Sequence, residues 1–299
     1  MTFAAKPLTP EQLARFHEDG FLVVERLIEP EDAARAAARF ELLFEGKFET
    51  GLIPDDWNWG EGVNTSRLNR QISNAWKSDY TIASIALRPG IGLWCAQLGG
   101  WPGARVNQHD LVWKLPGSLA VKMHQDILYD LWVTPSELIS CWIALTDTSR
   151  EAGTIEYARG SHKWGLFQPK STTKFYGVED YTEELRAAAA QAGGEVEIVP
   201  VEVPAGGGVF HSGRTWHGSG PCRDPVRDRR ALATHCCSSE SRFSSENLTV
   251  GMGAVFTRYK RFNDDTMDES FFPILWTEDG RRSAFLDEYM TRGSARRAA

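Results

Sequence analysis

Between about residue 103 and residue 240 the chain is written in short apolar runs separated by turn residues. The runs are "ARVNQHDLVWKLPG", "SLAVKMHQD", "ELISCWIALTD", "GTIEYARGSH", "EVEIVPVEV", "GGVFHSG" and "RRALATHCC". Taken together they are short and β-rich. So many brief strands in succession predict a β-sandwich or a jelly-roll barrel. The segment 166–193 interrupts the pattern with "VEDYTEELRAAAAQAGG", which reads as a helix closing at Gly193-Gly194. An insertion at such a place is expected to be a lid or part of the pocket wall.

The N-terminal third has a different grammar. "LTPEQLARFHEDG" carries a helix start, with Thr9 as N-cap, Pro10 at the first helical position and Gln12 completing a capping box; Gly20 stops the helix. "FLVVERLI" then reads as a strand, "EPEDAARAAARFELLFEG" as a second helix, and "YTIASIALRPGIGLWCAQLGG" as helix broken near Pro89-Gly90. Residues 50–80 have no readable period. The expectation is mainly β with flanking α: one domain over 1–299, made of a helical apron (1–102), a jelly-roll core (103–240, with the insertion) and a C-terminal extension (241–299).

Composition narrows the function. The 299 residues are 42% hydrophobic and 24% charged, with a net charge of -7 and no long run of one sign. That balance argues against a nucleic-acid groove or an anionic membrane surface. Five cysteines lack CxxC spacing and disulfide density, which points to a reducing compartment, the cytoplasm. The N-terminus turns polar too soon for a signal peptide, and no apolar stretch reaches membrane-spanning length. Eleven tryptophans furnish either a large core or an aromatic pocket.

"VKMHQDILYD" places His124 and Asp126 two residues apart in a predicted strand, where i and i+2 share a face. The pair reads either as an exposed polar strand face or as two members of a metal site. Two neutral imidazoles and one carboxylate on one face of a metal form the donor set of non-haem Fe(II) oxygenases. The third ligand must come from elsewhere. His17 lies on an amphipathic helix, His109 precedes a strand, His162 sits in a turn and His235 in the last clear strand. His211 and His217, in "GGGVFHSGRTWHGSGP", compete for the place. His211 follows "VF" and is expected to point to the opposite face.

The segments resemble the phytanoyl-CoA hydroxylase-like family of Fe(II)/2-oxoglutarate-dependent dioxygenases. "LTPEQLARFHEDGFLVVERLI" resembles its opening helix and strand, and "KMHQDILYD" its HxD strand. "SCWIALTDTSREAGTIEYARGSHKWG" is similar to its middle hairpin, "RTWHGSGP" to its distal-histidine motif, and "RRALATH" to its closing strand. The blocks cover most of residues 8–237 in order. The resemblance implies a double-stranded β-helix (jelly roll, cupin-like) with iron held by His124, Asp126 and His217. It implies an arginine after the distal histidine for the 2-oxoglutarate carboxylate, a geometry suited to the guanidinium fork. Arg229 fits, on the face of Ala231 and Ala233; Arg230 is the fallback. Ser219, Trp142 and Gln125 match further cosubstrate positions, and Lys114 is a weaker match. Gln125 would need local strand twist to face its neighbours' side. Cys222 stands where the family often has Asn, in a turn, and no change of chemistry is expected from it.

The implied reaction couples oxidative decarboxylation of 2-oxoglutarate by dioxygen to oxidation, usually hydroxylation, of a small organic molecule. A natural-product intermediate of secondary metabolism would suit the aromatic supply. Related halogenases lack the carboxylate, so Asp126 favours oxygen chemistry. Tyr129, Trp132, Trp57, Trp59, Trp76, Phe272 and Trp276 are the aromatic candidates for the substrate pocket. No basic cluster suits a CoA moiety. The enzyme is expected as a monomer or homodimer. The alternative is a non-oxidative cupin-like isomerase, hydrolase or small-molecule binder using the same ligands, against which the matches at Arg229 and Ser219 count.

Overall fold

Antiparallel pairing around two long strands organises the molecule. The computed structural model describes residues 6–60, 67–168 and 180–295. Its elements run α1 (Pro10–Asp19), β1 (Phe21–Val24), α2 (Pro30–Ala37), α3 (Phe40–Phe44), β2 (Asp56–Trp57), β3 (Arg70–Ser73), α4 (Tyr80–Ala86), α5 (Pro89–Gly99) and β4 (Gly103–Lys114). Then come β5 (Val121–His124), β6 (Val133–Thr134), β7 (Ile139–Ala144), β8 (Glu156–Ala158), α6 (Glu183–Ala192), β9 (Ile198–Pro200), β10 (Gly208–Ser212), β11 (His217–Ser219) and β12 (Arg229–Ser238). The chain ends with β13 (Arg242–Phe243), α7 (Gly253–Phe256), β14 (Ile274–Thr277) and α8 (Leu286–Ala295).

The major sheet has the order β1-β10-β7-β12-β4-β3-β2, with β14 also on β4. The minor sheet has the order β5-β11-β8-β9, and β13 pairs with β6. The two sheets enclose Trp142, Ala144, Ile155, Tyr157, Val209, Ala231 and Ala233. The other face of the major sheet carries Cys141, Ile143, Leu232 and Cys236, packed against Ala33, Phe40, Ile82 and Leu93 of the helices. Being covered on both faces, β7 reads as a nearly continuous apolar run, whereas β4 and β12 turn polar side chains such as Gln108, Asp110, Arg229 and His235 into the space between the sheets. Behind the minor sheet, Leu185 and Ala188 of α6 pack on Met123 and Trp216.

The helix signals hold at α1, where Thr9 Oγ1 accepts from Gln12 N–H and Gln12 Oε1 accepts from Thr9 N–H. Gly20 has φ 84°, and a Cβ there would lie 2.4 Å from His162 Nδ1, so glycine is required for both backbone and space. The single helix expected after Glu29 is two: the turn at 38–39 frees Arg39, whose Nε donates to Asp79 Oδ2 at 2.6 Å. The larger departure concerns the apron and extension. β1, β2, β3 and β14 come from outside 103–240 yet join the major sheet: β1 pairs with β10 at one edge, and β4 is long enough to pair with β12, β3 and β14, with β2 beyond β3. The helix expected in the insertion is α6; residues 169–179 lie outside the described residues. Among the described residues no helix is long and apolar enough to cross a membrane.

Candidate active site

β5 ends at His124, and Asp126 opens a short 3-10 turn rather than continuing the strand. Gln125 between them keeps an extended backbone (φ -113°, ψ 120°), so the i, i+2 alternation survives one residue beyond the ladder. β11 lies between β5 and β8, with His217 directly paired to His124. Gly218 allows this closeness, since a Cβ there would meet Val121 O at 2.8 Å. His124 Nε2 and His217 Nε2 each lie 3.3 Å from Asp126 Oδ1. The three ligand atoms fall within 4.8 Å of one another.

Hydrogen bonds fix the imidazole tautomers. His124 Nδ1–H donates to Lys122 O at 2.7 Å and His217 Nδ1–H to Thr215 O at 3.1 Å. Each ring therefore turns an Nε2 lone pair toward Asp126. Burial lowers the pKa of His124, aided by His217, which keeps the ring neutral and able to ligate. Burial alone would raise Asp126, but the imidazole cluster around it outweighs burial and holds the carboxylate well below its ordinary range. The set suits a divalent metal.

A cavity of about 330 Å³ runs from this cluster along β12. Arg229, Ala233 and His235 line it, and Arg229 and His235 are six residues apart on the strand, about 20 Å. At one end Arg229 is 3% exposed, its Nε has no partner, and among the described residues no carboxylate pairs with it. Burial pulls its pKa down to about 10, so it stays charged at neutral pH. A buried guanidinium without a counter-ion calls for an anionic ligand. Trp142 lies beside it, 5.7 Å from ring centroid to guanidinium carbon. Lys114 donates to Ser219 Oγ at 2.7 Å and Gly220 O at 2.5 Å. Burial, then Arg229, hold Lys114 well below the usual lysine range. Arg230 faces the other way and forks onto Glu41 at 2.6 and 2.9 Å.

The far end is polar and acidic, with Asp56, Gln108, Asp110, Asp130 and His235, and with Tyr129 and Met252 beside them. His235 Nε2 lies 3.3 Å from Asp110 Oδ2, and its Nδ1 2.7 Å from Ser140 Oγ. Burial would lower His235, but Asp110, Asp126 and Asp130 raise it to about 9. Asp130 is 5% exposed. Its Oδ1 accepts from Asn107 and Trp132, while Oδ2 takes no hydrogen bond among the described residues. Burial pushes its pKa up to about 7.

Several expectations are corrected. Gln125 does not face the cavity: its amide donates to Gly165 O and Arg214 O and accepts from Phe167 N–H, because alternation turns it away from its neighbours. Trp132 is fully buried among Phe243, Phe256 and Phe272, so both it and Phe272 are core. Trp76 is core beneath Phe285 and Tyr289. Trp57 and Trp59 line a separate hollow with Phe44, Arg70 and Trp113. Trp276 packs on the helical side. Of the aromatic candidates for the substrate pocket, Tyr129 alone lines the cavity. His211 does not point away: its Nε2 is 3.1 Å from Asp126 Oδ2. Gln108, Asp110 and His235 were missed, although period two from Lys114 reaches the first pair and from Arg229 the last.

An antiparallel double sheet with two imidazoles and a carboxylate gathered at a cavity, and an unpaired arginine deeper in, defines the class of non-haem iron oxygenases. The family profile described as "Phytanoyl-CoA dioxygenase (PhyH)" matches residues 16–231, and the chain belongs to that family. It is an Fe(II)- and 2-oxoglutarate-dependent dioxygenase, which sets aside the non-oxidative alternative. The chain is 26% identical over 260 residues to the multifunctional dioxygenase prhA of Penicillium brasilianum, covering 84% of this chain and 79% of the relative. It is 26% identical over 275 residues to the peroxisomal phytanoyl-CoA dioxygenase of Homo sapiens, covering 83% and 77%. The fold is shared with the α-ketoglutarate-dependent carbocyclase SnoK from nogalamycin biosynthesis, with TM-score 0.66, 22% identity and coverage of 90% of this chain and 97% of that one.

Proposed function

We propose that His124, Asp126 and His217 hold the iron and that Arg229 binds the distal carboxylate of 2-oxoglutarate, with Ser219 and Lys114 at the same end and Trp142 along its side. The observation that carries this reading is the paired tautomers: two backbone carbonyls commit both Nδ1 atoms, leaving both Nε2 atoms directed at Asp126 Oδ1. When bound, iron with 2-oxoglutarate and dioxygen supplies the oxidising chemistry, with succinate and carbon dioxide as co-products. The chain's own part is positioning and exclusion. Arg229 neutralises and orients the cosubstrate, while Val112, Ile155, Trp142 and Ala233 keep that end apolar around it. The carboxylate at Asp126 supports oxygenation rather than halogenation.

The substrate occupies the end lined by Tyr129, Met252 and Asp130 and is a small organic molecule of secondary metabolism carrying a hydroxyl or amine. Support comes from the bare Asp130 Oδ2 and from the acidic lining at that end. The same lining speaks against an acyl-CoA. The protein works as one catalytic domain over 1–299, as a monomer or homodimer, in the cytoplasm, a compartment that suits its five free thiols.

Anaerobic addition of Fe(II) and 2-oxoglutarate tests the site. A weak visible charge-transfer band is expected, abolished in Asp126→Ala and lost at ordinary cosubstrate concentration in Arg229→Gln. Absence of the band from the unaltered protein would sink the assignment. For the substrate half, Asp130→Asn should leave the band intact while raising KM for whichever metabolite a screen identifies.

A further inference from the structure

We propose that His211 is a positioning residue for Asp126: with Tyr157 behind it, it holds the carboxylate by Oδ2 and leaves Oδ1 to face the two histidines. This rests on the reading of His124, Asp126 and His217 as the iron ligands.

His211 lies on β10 of the major sheet, whereas His124 and His217 belong to the minor sheet. It is 1% exposed, and its ring centroid is 4.6 Å from that of His217. Both ring nitrogens are engaged. Nε2 is 3.1 Å from Asp126 Oδ2, and Nδ1 is 2.8 Å from the Tyr157 hydroxyl. An ionised carboxylate only accepts, so Nε2 must carry the proton. Nδ1 is then a lone pair, and the buried Tyr157 hydroxyl must donate to it. The chain has one direction: Tyr157 O–H to His211 Nδ1, then His211 Nε2–H to Asp126 Oδ2.

That tautomer is the reverse of the one in His124 and His217. Their Nδ1 atoms donate to carbonyls and their Nε2 atoms present lone pairs. Four imidazoles thus surround one carboxylate: two are set as ligands, His211 is set as a hydrogen-bond donor, and His235 Nδ1 stands 3.6 Å from Oδ2, with Ser140 Oγ bonded to both. The distinction separates His211 from His217 on structural grounds, where spacing alone left both open. Ser140 Oγ, 3.4 Å from Asp126 Oδ2, supports the same oxygen from a second side. The major sheet therefore holds Oδ2 and the minor sheet's histidines meet Oδ1. Partners of this kind orient metal ligands, and their loss weakens metal binding by about 10–100-fold.

The test is an anaerobic equilibrium titration of the metal-free protein with Co(II), reading Kd and the visible ligand-field spectrum. His211→Phe should weaken Kd by about 10–100-fold and change the spectrum. His211→Gln should recover most of the loss, since its carboxamide nitrogen can donate where Nε2 did. Tyr157→Phe should cause a smaller change of the same sign. A wild-type Kd and spectrum in His211→Phe and Tyr157→Phe overturns the proposal. So does loss in His211→Phe as complete as in Asp126→Ala with no rescue by Gln, which would make His211 a ligand. If His211→Phe fails to fold, as judged by circular dichroism, the Gln and Tyr157→Phe variants decide. Wild-type binding by Asp126→Ala would instead remove the underlying ligand assignment, a separate failure.

Discussion

Arg229 and Arg230 are adjacent on β12 and face opposite sides of the major sheet. Arg229 looks into the cavity with its Nε unpartnered, and Arg230 reaches out to grip Glu41 of α3. Alternation along a strand enforces this division.

The two should therefore separate in kinetics. Arg229→Gln should raise KM for 2-oxoglutarate by about 100-fold, the effect of losing roughly 3 kcal/mol of charged pairing in a dry site. Arg230→Gln should leave that KM unchanged and lower stability by about 1 kcal/mol, because Glu41 is half exposed and its pair is screened. Steady-state kinetics beside urea melts distinguish them; equal KM effects would contradict the facing assigned to each.

The His235–Asp110 pair predicts a pH dependence of stability in the metal-free protein. His235 titrates at about 9 when folded, against roughly 6.5 for an ordinary histidine. The folded state binds this proton more tightly, so its contribution is complete below pH ~6.5 and disappears as pH rises through about 9. The shift corresponds to roughly 3 kcal/mol. Urea melts from pH 6 to 10 should show that decline in the unaltered protein and a flatter profile in His235→Gln.

Trp132 belongs to the core beneath the C-terminal extension, with Phe243, Phe256 and Phe272 around it. Trp132→Ala should cost about 3–5 kcal/mol of stability. In folded protein at low temperature, Kd for 2-oxoglutarate should stay near the wild-type value. A cosubstrate effect without destabilisation would restore Trp132 to the cavity.

Gln125 ties the entry to the insertion, with three backbone groups bound by one amide. Gln125→Leu leaves all three without their partner. Hydrogen exchange at Phe167 should accelerate by about tenfold or more, matching loss of a buried bond of ~1–2 kcal/mol. Unchanged exchange there would show that the amide does not hold the segment.

The architecture was legible because strand and helix signals are local. Thr9 and Gln12 announce α1, and the density of short runs announces the two sheets. Alternation, a local property, says that only one of Arg229 and Arg230 can face inward; the family resemblance, with its arginine two residues before a small residue such as Ala231, is what prefers Arg229. The aromatic residues were not legible in the same way: Trp132, Trp76 and Tyr129 look alike in sequence, and packing from distant elements decides which face water. His211 misled for a related reason. Following "VF" says nothing about which side β10 turns inward, a matter settled by its pairing with β7. The membership of β2, β3 and β14 in the major sheet depends on the length of β4, which no single segment reveals.

His124 and His217 are cross-strand partners on β5 and β11, segments far apart in the chain. A slip of one residue between them would turn β11 over and export His217 from the interior. With His124 and His217 as the proposed iron ligands, metal occupancy becomes an audit of assembly. A preparation's loadable fraction counts the barrels whose minor sheet closed in the right register, and misregistered molecules, however compact, go uncounted.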